Sequence, residues 1–275
     1  MKIASVLILL VCLVACKESQ SGGSGESQTA TADAGEPVWQ DEFESGTLNS
    51  SKWTVIEGDG CPELCGFGNN ELQTYTSAPE NVKIEDGKLI ITARKDDDDY
   101  TSAKLVTEGS GDWKYGYVEV RAKLPEGRGT WPAIWMLPSL DRSMKWPHDG
   151  EIDIMEHVGY NQGMLYATIH TEKFNHVQGT QKSDSLMLED ASEAFHTYAI
   201  DWTEEGITWY LDGEEYFAIE KGNEKKPGWP FDQEFHLILN TAIGGDWGGK
   251  EGLDDNIWPQ TFEIDYVRVY DQSPL

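Results

Sequence analysis

Apolar residues in this chain recur at every second position, and nowhere at helical spacing over a useful length, which confines the fold to strands. In the stretch from Tyr117 to Leu124, Val118, Val120, Ala122 and Leu124 point one way while Tyr117, Glu119, Arg121 and Lys123 point the other. Tyr198, Ile200 and Trp202 repeat the pattern. The runs 207–211 and 214–219 flank Asp212-Gly213, a pair suited to the positive φ angles of a tight turn, and read as a hairpin. Phe262, Ile264 and Tyr266 alternate before the apolar positions change parity to Val267 and Val269, which marks a bend or bulge. Many short strands with 28 glycines imply an all-β fold, a β-jelly-roll sandwich of two antiparallel sheets with a concave cleft.

Within this pattern, Glu151-Ile152-Asp153-Ile154-Met155-Glu156 packs three acids into six positions. A helix would splay Glu151 and Asp153 by roughly 200°, so no shared site would form. A strand places both on one face and the isoleucines on the other, but strict alternation then turns Glu156 toward the core. A bulge at Met155 returns Glu156 to the face of the other two. At about 3.3 Å per residue the Cα atoms of Glu151 and Glu156 stand roughly 13 Å apart. Two inward-leaning side chains then bring the carboxyl groups within the gap of about 5 to 5.5 Å that a retaining glycosidase uses. The plain alternative is a solvated acidic strand face in a chain with 49 acidic and 21 basic residues.

Upstream, Trp131-Pro132-Ala133-Ile134-Trp135-Met136 read as a strand puts Trp131, Ala133 and Trp135 on one face and Ile134 and Met136 on the other. Two indoles across a small residue make a flat platform for the C–H face of a sugar ring, unless they are core aromatics. A net charge of −28 argues against nucleic acid and heavily sulfated polymers, and favours a neutral partner.

The N-terminal residues 1–16 combine Lys2, an apolar stretch too short to span a bilayer, and Leu13-Val14-Ala15-Cys16. That ending resembles a bacterial lipoprotein processing site, with Cys16 as the acylated residue; a plain secretory signal is the alternative. Residues 17–36 are Ser, Gly, Gln, Thr and Ala with few hydrophobes and read as a flexible tether. Residues 37–275 are then one domain of an exported, membrane-anchored lipoprotein, periplasmic or at the cell surface, attached only through its lipid and expected as a monomer. In an oxidising compartment Cys61 and Cys65 favour a small loop disulfide over two free thiols.

The segments Glu151 to His157 and Trp131 to Pro138 together resemble glycoside hydrolase family sixteen, in its bacterial laminarinase (endo-1,3-β-glucanase) branch. Asp41-Glu42-Phe43, Asn69 to Gln73, Ile91 to Arg94, Asn240 to Gly245 and Phe262 to Tyr270 resemble family segments in the same order, so the likeness spans 37–275. It implies a β-glucan substrate, with Glu151 as nucleophile, Glu156 as general acid and then base, and Asp153 as helper between them. It further implies sugar contacts from Trp131, Trp135, Asn69, Arg94, His170, Asn240 and Trp247. No catalytic cofactor is implied, but a structural calcium is, at Glu42, Gly87 and Asp265, where hard oxygen ligands suit that ion. The rivals are mixed-linkage glucan or agar as substrate, transglycosylation, and a non-catalytic glucan-binding protein; the last typically lacks one of the three acids.

Overall fold

The computed structural model describes residues 35–275; the processing site at Cys16 and the tether up to residue 34 lie outside them. Two sheets face each other. The inner sheet runs in the order Lys182–Met187, Met164–His170, Glu151–His157, Thr130–Pro138, Phe235–Ile243, Lys104–Val106 and Thr54–Ile56, with Asp112–Trp113 also against Phe235–Ile243. The outer sheet runs Glu214–Glu220, Gly206–Leu211, His196–Trp202, Gly116–Lys123, Gln260–Tyr270, Lys88–Asp96, Asp99–Ser102 and Gln73–Tyr75. Trp39–Asp41 adds to Gln260–Tyr270 and Val82–Glu85 to Lys88–Asp96. Pairing is antiparallel except between Gln73–Tyr75 and Asp99–Ser102. The one α-helical turn among the described residues is Gly245–Gly248.

Period-two alternation explains the core. Leu89, Ile91, Val118, Val120, Ala122, Tyr198, Ile200 and Trp202 of the outer sheet meet Ile134, Met136, Ile152, Leu165, Ala167, Ile169, Phe235, Leu237 and Leu239 of the inner one. Each large aliphatic side chain buried there contributes about 1.5–3 kcal/mol. The 207–219 hairpin forms around Asp212 and Gly213, both at positive φ.

The two parity changes in the sequence are both register shifts in the sheets. In Gln260–Tyr270 the shift falls between Ile264 and Tyr266, at Asp265, so Phe262 and Ile264 point inward before it and Val267 and Val269 after it. Tyr266 itself turns outward and donates its hydroxyl to Glu119 at 2.8 Å. In Glu151–His157, Ala133 and Ile134 pair with Glu156 and Met155, but Trp135 pairs with Asp153. The bulge therefore occupies Ile154 and Met155 together, both essentially unexposed and in the core. Without Met155 the run Asp153-Ile154-Glu156 would alternate regularly and still present Glu156 to the cleft, so what Met155 itself adds is a second buried apolar side chain in the core. A residue opened by the bulge is closed from the opposite sheet: the buried Trp209 donates its indole N–H to the main-chain oxygen of Asp153 at 2.9 Å.

Candidate active site

The inner sheet's outward face forms a cleft with a cavity of about 360 Å³, lined by Glu151, Asp153, Glu156, Trp131, Trp135, Asn69 and Asn240 among others. The bulge is what places the three acids there together. Each glutamate is oriented by an indole: Trp146 Nε1 donates to Glu151 Oε2 at 3.0 Å, and Trp131 Nε1 to Glu156 Oε1 at 3.0 Å. Asp153 stands between them with Oδ2 buried and unbonded, and His170 Nε2 lies 3.4 Å from that oxygen and 3.7 Å from Glu151 Oε1.

Burial and mutual repulsion push all three acids above the ordinary carboxylate range. For Glu151 burial is the largest cause, followed by the charge of Glu156, with the Trp146 hydrogen bond and Lys104 pulling the other way. Asp153 is raised by burial and by both glutamates. Burial again leads for Glu156, opposed by the Trp131 hydrogen bond and reinforced by Glu71. Such closely interacting groups release their protons as a set, so the trio retains protons around neutrality. Burial lowers His170 to about 3, which leaves its ring neutral beside them. A cluster of this kind, one carboxylate ionised and another protonated, is equipped for attack on an acetal carbon with proton delivery to the departing oxygen.

The remaining expected sugar contacts divide. Asn69 lines the cavity and donates to Glu71 Oε1 at 3.2 Å. Asn240 also lines it, but accepts from Trp135 Nε1 at 2.6 Å and donates to the Tyr75 hydroxyl at 3.0 Å, so it fixes the Trp135 ring. Trp131 and Trp135 face the cleft as the alternation requires, though each is more than a bare platform because its N–H is committed. Trp247 stands just outside the cavity, edge-on to Trp131 at 5.4 Å and to Tyr166 at 5.0 Å, and buttresses the Trp131 ring. Arg94 is a correction. Its strand, Lys88–Asp96, belongs to the outer sheet; Leu89, Ile91 and Ala93 point inward, so Arg94 faces a separate outer groove with Lys83, Lys88 and Glu263.

Cys61 and Cys65 form the disulfide, and the loop it closes carries Leu64 and, just beyond, Phe67 to the cleft wall. The expected calcium ligands converge at one end of the outer sheet, since Asp41 pairs with Val267 and Leu89 with Ile264. There the Glu42 carboxylate is held by Arg268 at 2.8 and 2.9 Å and Asp265 Oδ2 by Arg121. Both carboxylates are thus engaged by arginines, which leaves one oxygen of Asp265 as a hard donor of the kind calcium takes.

Sequence reasoning passed over Trp146, Glu71, Lys104 and His176, all on the cavity wall. Trp146 carried the same signal as Trp247, an indole in a loop with no strand to bury it. Glu71 lay inside a segment already singled out, between Asn69 and Gln73. Lys104 sits on a three-residue strand too short to show alternation.

A model of the glycosyl hydrolases family 16 matches residues 69–268, and the chain belongs to that family. It is 46% identical over 258 residues to a beta-glucanase of Rhodothermus marinus, covering 90% of this chain and 88% of that protein. The X-ray structure of the laminarinase from Rhodothermus marinus superposes with a TM-score of 0.81 at 46% identity, over 86% of this chain and 98% of the other. The laminarinase of Flavobacterium sp. UMI-01 does so with a TM-score of 0.81 at 42% identity, over 86% and 100%.

Proposed function

We propose that this protein is an endo-acting retaining glycoside hydrolase that cleaves 1,3-β-glucan of the laminarin type. The observation that carries it is the bulged strand, which sets Glu151, Asp153 and Glu156 on one cleft face with an indole N–H on each glutamate. In this reading Glu151 attacks the anomeric carbon while Glu156 protonates the leaving oxygen. Glu156 then takes a proton from water, which releases the sugar from Glu151 with its configuration retained. Asp153, holding a proton between them, donates a hydrogen bond that steadies the charge on Glu151. Reducing-sugar release measured on laminarin, lichenan, agarose and carrageenan, with NMR of the first anomer formed, tests this. Laminarin should be cleaved fastest and the β-anomer appear first. Inert laminarin, or an α-anomer first, would sink the reading.

The same proposal extends to two features outside the cleft. Residues 1–15 would be removed and Cys16 acylated as the new N-terminus, anchoring an exported enzyme at a membrane; palmitate labelling that survives Cys16→Ala would count against it. A calcium ion held by the main chain at Glu42 and Gly87 and by Asp265 would brace the end of the outer sheet, and a melting temperature unmoved by chelator would refute that.

A further inference from the structure

Four acids, Glu71, Glu151, Asp153 and Glu156, line the cleft, and Lys104 is the single lysine or arginine among the residues that line it. We propose that Lys104 is a positioning residue for catalysis: its ammonium is the counter-charge that keeps Glu151 an anion once substrate has displaced water from the cleft.

The backbone aims it there. Ala103 and Leu105 are wholly buried, so alternation turns Lys104 to the cleft face, directly opposite Asn240 in the neighbouring strand. The ammonium is then confined between two rings, 4.8 Å from the Trp135 centroid and 4.9 Å from that of Phe67. Both aromatic faces attract a cation and neither neutralises it. Among the described residues no carboxylate oxygen comes within salt-bridge distance of Lys104, so its field reaches the acids without capping one of them. A direct ion pair would blunt the nucleophile, whereas a charge held a few ångströms back stabilises the anion and leaves its oxygen free to attack.

Burial raises both glutamates, and on top of it their charged neighbours differ in sign. Glu151 faces Lys104, Asp153, Glu156, neutral His170 and the Trp146 N–H, and Lys104 favours its ionised form. Glu156 faces Asp153, Glu151, the Trp131 N–H and Glu71, and Glu71 favours its protonated form. Burial pulls the lysine itself down while Glu71 and Glu151 oppose this. Coulomb interactions strengthen as water leaves, so the bias grows when the cleft fills.

The inference rests on Glu151 being the nucleophile, and the experiment separates the two claims. The pH dependence of inactivation by an epoxyalkyl β-glucoside, which reacts with an ionised nucleophile, is measured on the parent, Lys104→Met and Lys104→Arg, with the labelled peptide identified. Losing the positive charge makes Glu151 harder to ionise. In K104M the acidic limb should therefore move up by about one pH unit, with inactivation about tenfold slower on that limb, while K104R keeps the parent's limb. Should K104M fail to melt cooperatively, K104Q against K104R gives the same contrast. Labelling of a residue other than Glu151 in the parent would overturn the nucleophile assignment and the proposal with it. Glu151 labelling with an unmoved limb in the neutral variant, or an equal displacement in K104R, would overturn the role of Lys104 alone.

Discussion

The exposed faces of the two sheets handle charge in opposite ways. On the outer sheet five acids each have a basic partner: Glu42 with Arg268, Asp265 with Arg121, Glu263 with Lys123, Glu85 with Lys83 and Asp96 with Arg94. In the cleft, four acids share one lysine. Surface pairs of the first kind are worth about 0–1 kcal/mol each and shape solubility more than stability. Uncompensated, desolvated carboxylates are a standing cost to the fold, tolerated where their reactivity is the purpose.

The sharpest way to test that contrast is to neutralise a cleft acid. Glu151→Gln or Glu156→Gln should lower turnover on laminarin by at least about a thousandfold. Both variants should also melt higher than the parent at alkaline pH. The sign follows from the raised acids: stability they contribute while protonated is full below their unfolded-state values and is lost as pH rises through the folded ones. A glutamine escapes that loss, so the gap in melting temperature should widen from pH 5 to pH 9 and close in acid. A gap that narrows with pH would break the comparison.

Removing an orienting donor should have the next largest effect. Trp146→Phe and Trp131→Phe delete hydrogen bonds to charged groups worth about 1.5–3 kcal/mol, so turnover should fall about 10- to 100-fold. Because each bond favours the anion, Trp146→Phe should move the acidic limb of the pH profile upward and Trp131→Phe the basic limb upward. Limbs that stay in place would mean the indoles only pack. Trp209→Phe should act from beyond the core, leaving the Asp153 carbonyl without its partner at a cost of about 1–3 kcal/mol, read as a lower melting temperature with reduced turnover.

On the compensated face the effects should be smallest. Arg94→Ala and Arg268→Met should leave activity on laminarin within about twofold, and Arg268→Met should cost no more than about 1 kcal/mol by denaturant melt. A large activity loss in Arg94→Ala would return that residue to the cleft.

Arg94 also shows where sequence reading ran out. Alternation revealed which residues share a face of a strand, and the bulge followed from the acids and isoleucines of one short run. Which sheet a strand joins depends on pairings between distant segments, and nothing local to Ile91 to Arg94 records that its partner is 260–270 rather than the catalytic strand. Trp131 and Trp135 were legible as cleft-facing because a patterned strand carries them. Their hydrogen-bond partners, Glu156 and Asn240, were not, since those contacts arise only once neighbouring strands are in register. Lys104 and Glu71 were hidden for the same reason, being unremarkable charged residues until the sandwich gathers them beside the acids.

The bulge at Ile154 and Met155 has a further consequence for how this strand tolerates change. What it conveys to Glu156 is a count, not a chemistry. Any two apolar residues that fill those pockets would keep the acid in the cleft, and loss of one would leave plain alternation with Glu156 on the same face, whereas loss of both would turn it into the core. The catalytic strand is thus permissive toward substitution at its midpoint, where the facing of Glu156 depends on how many residues separate it from Asp153 and not on which ones they are.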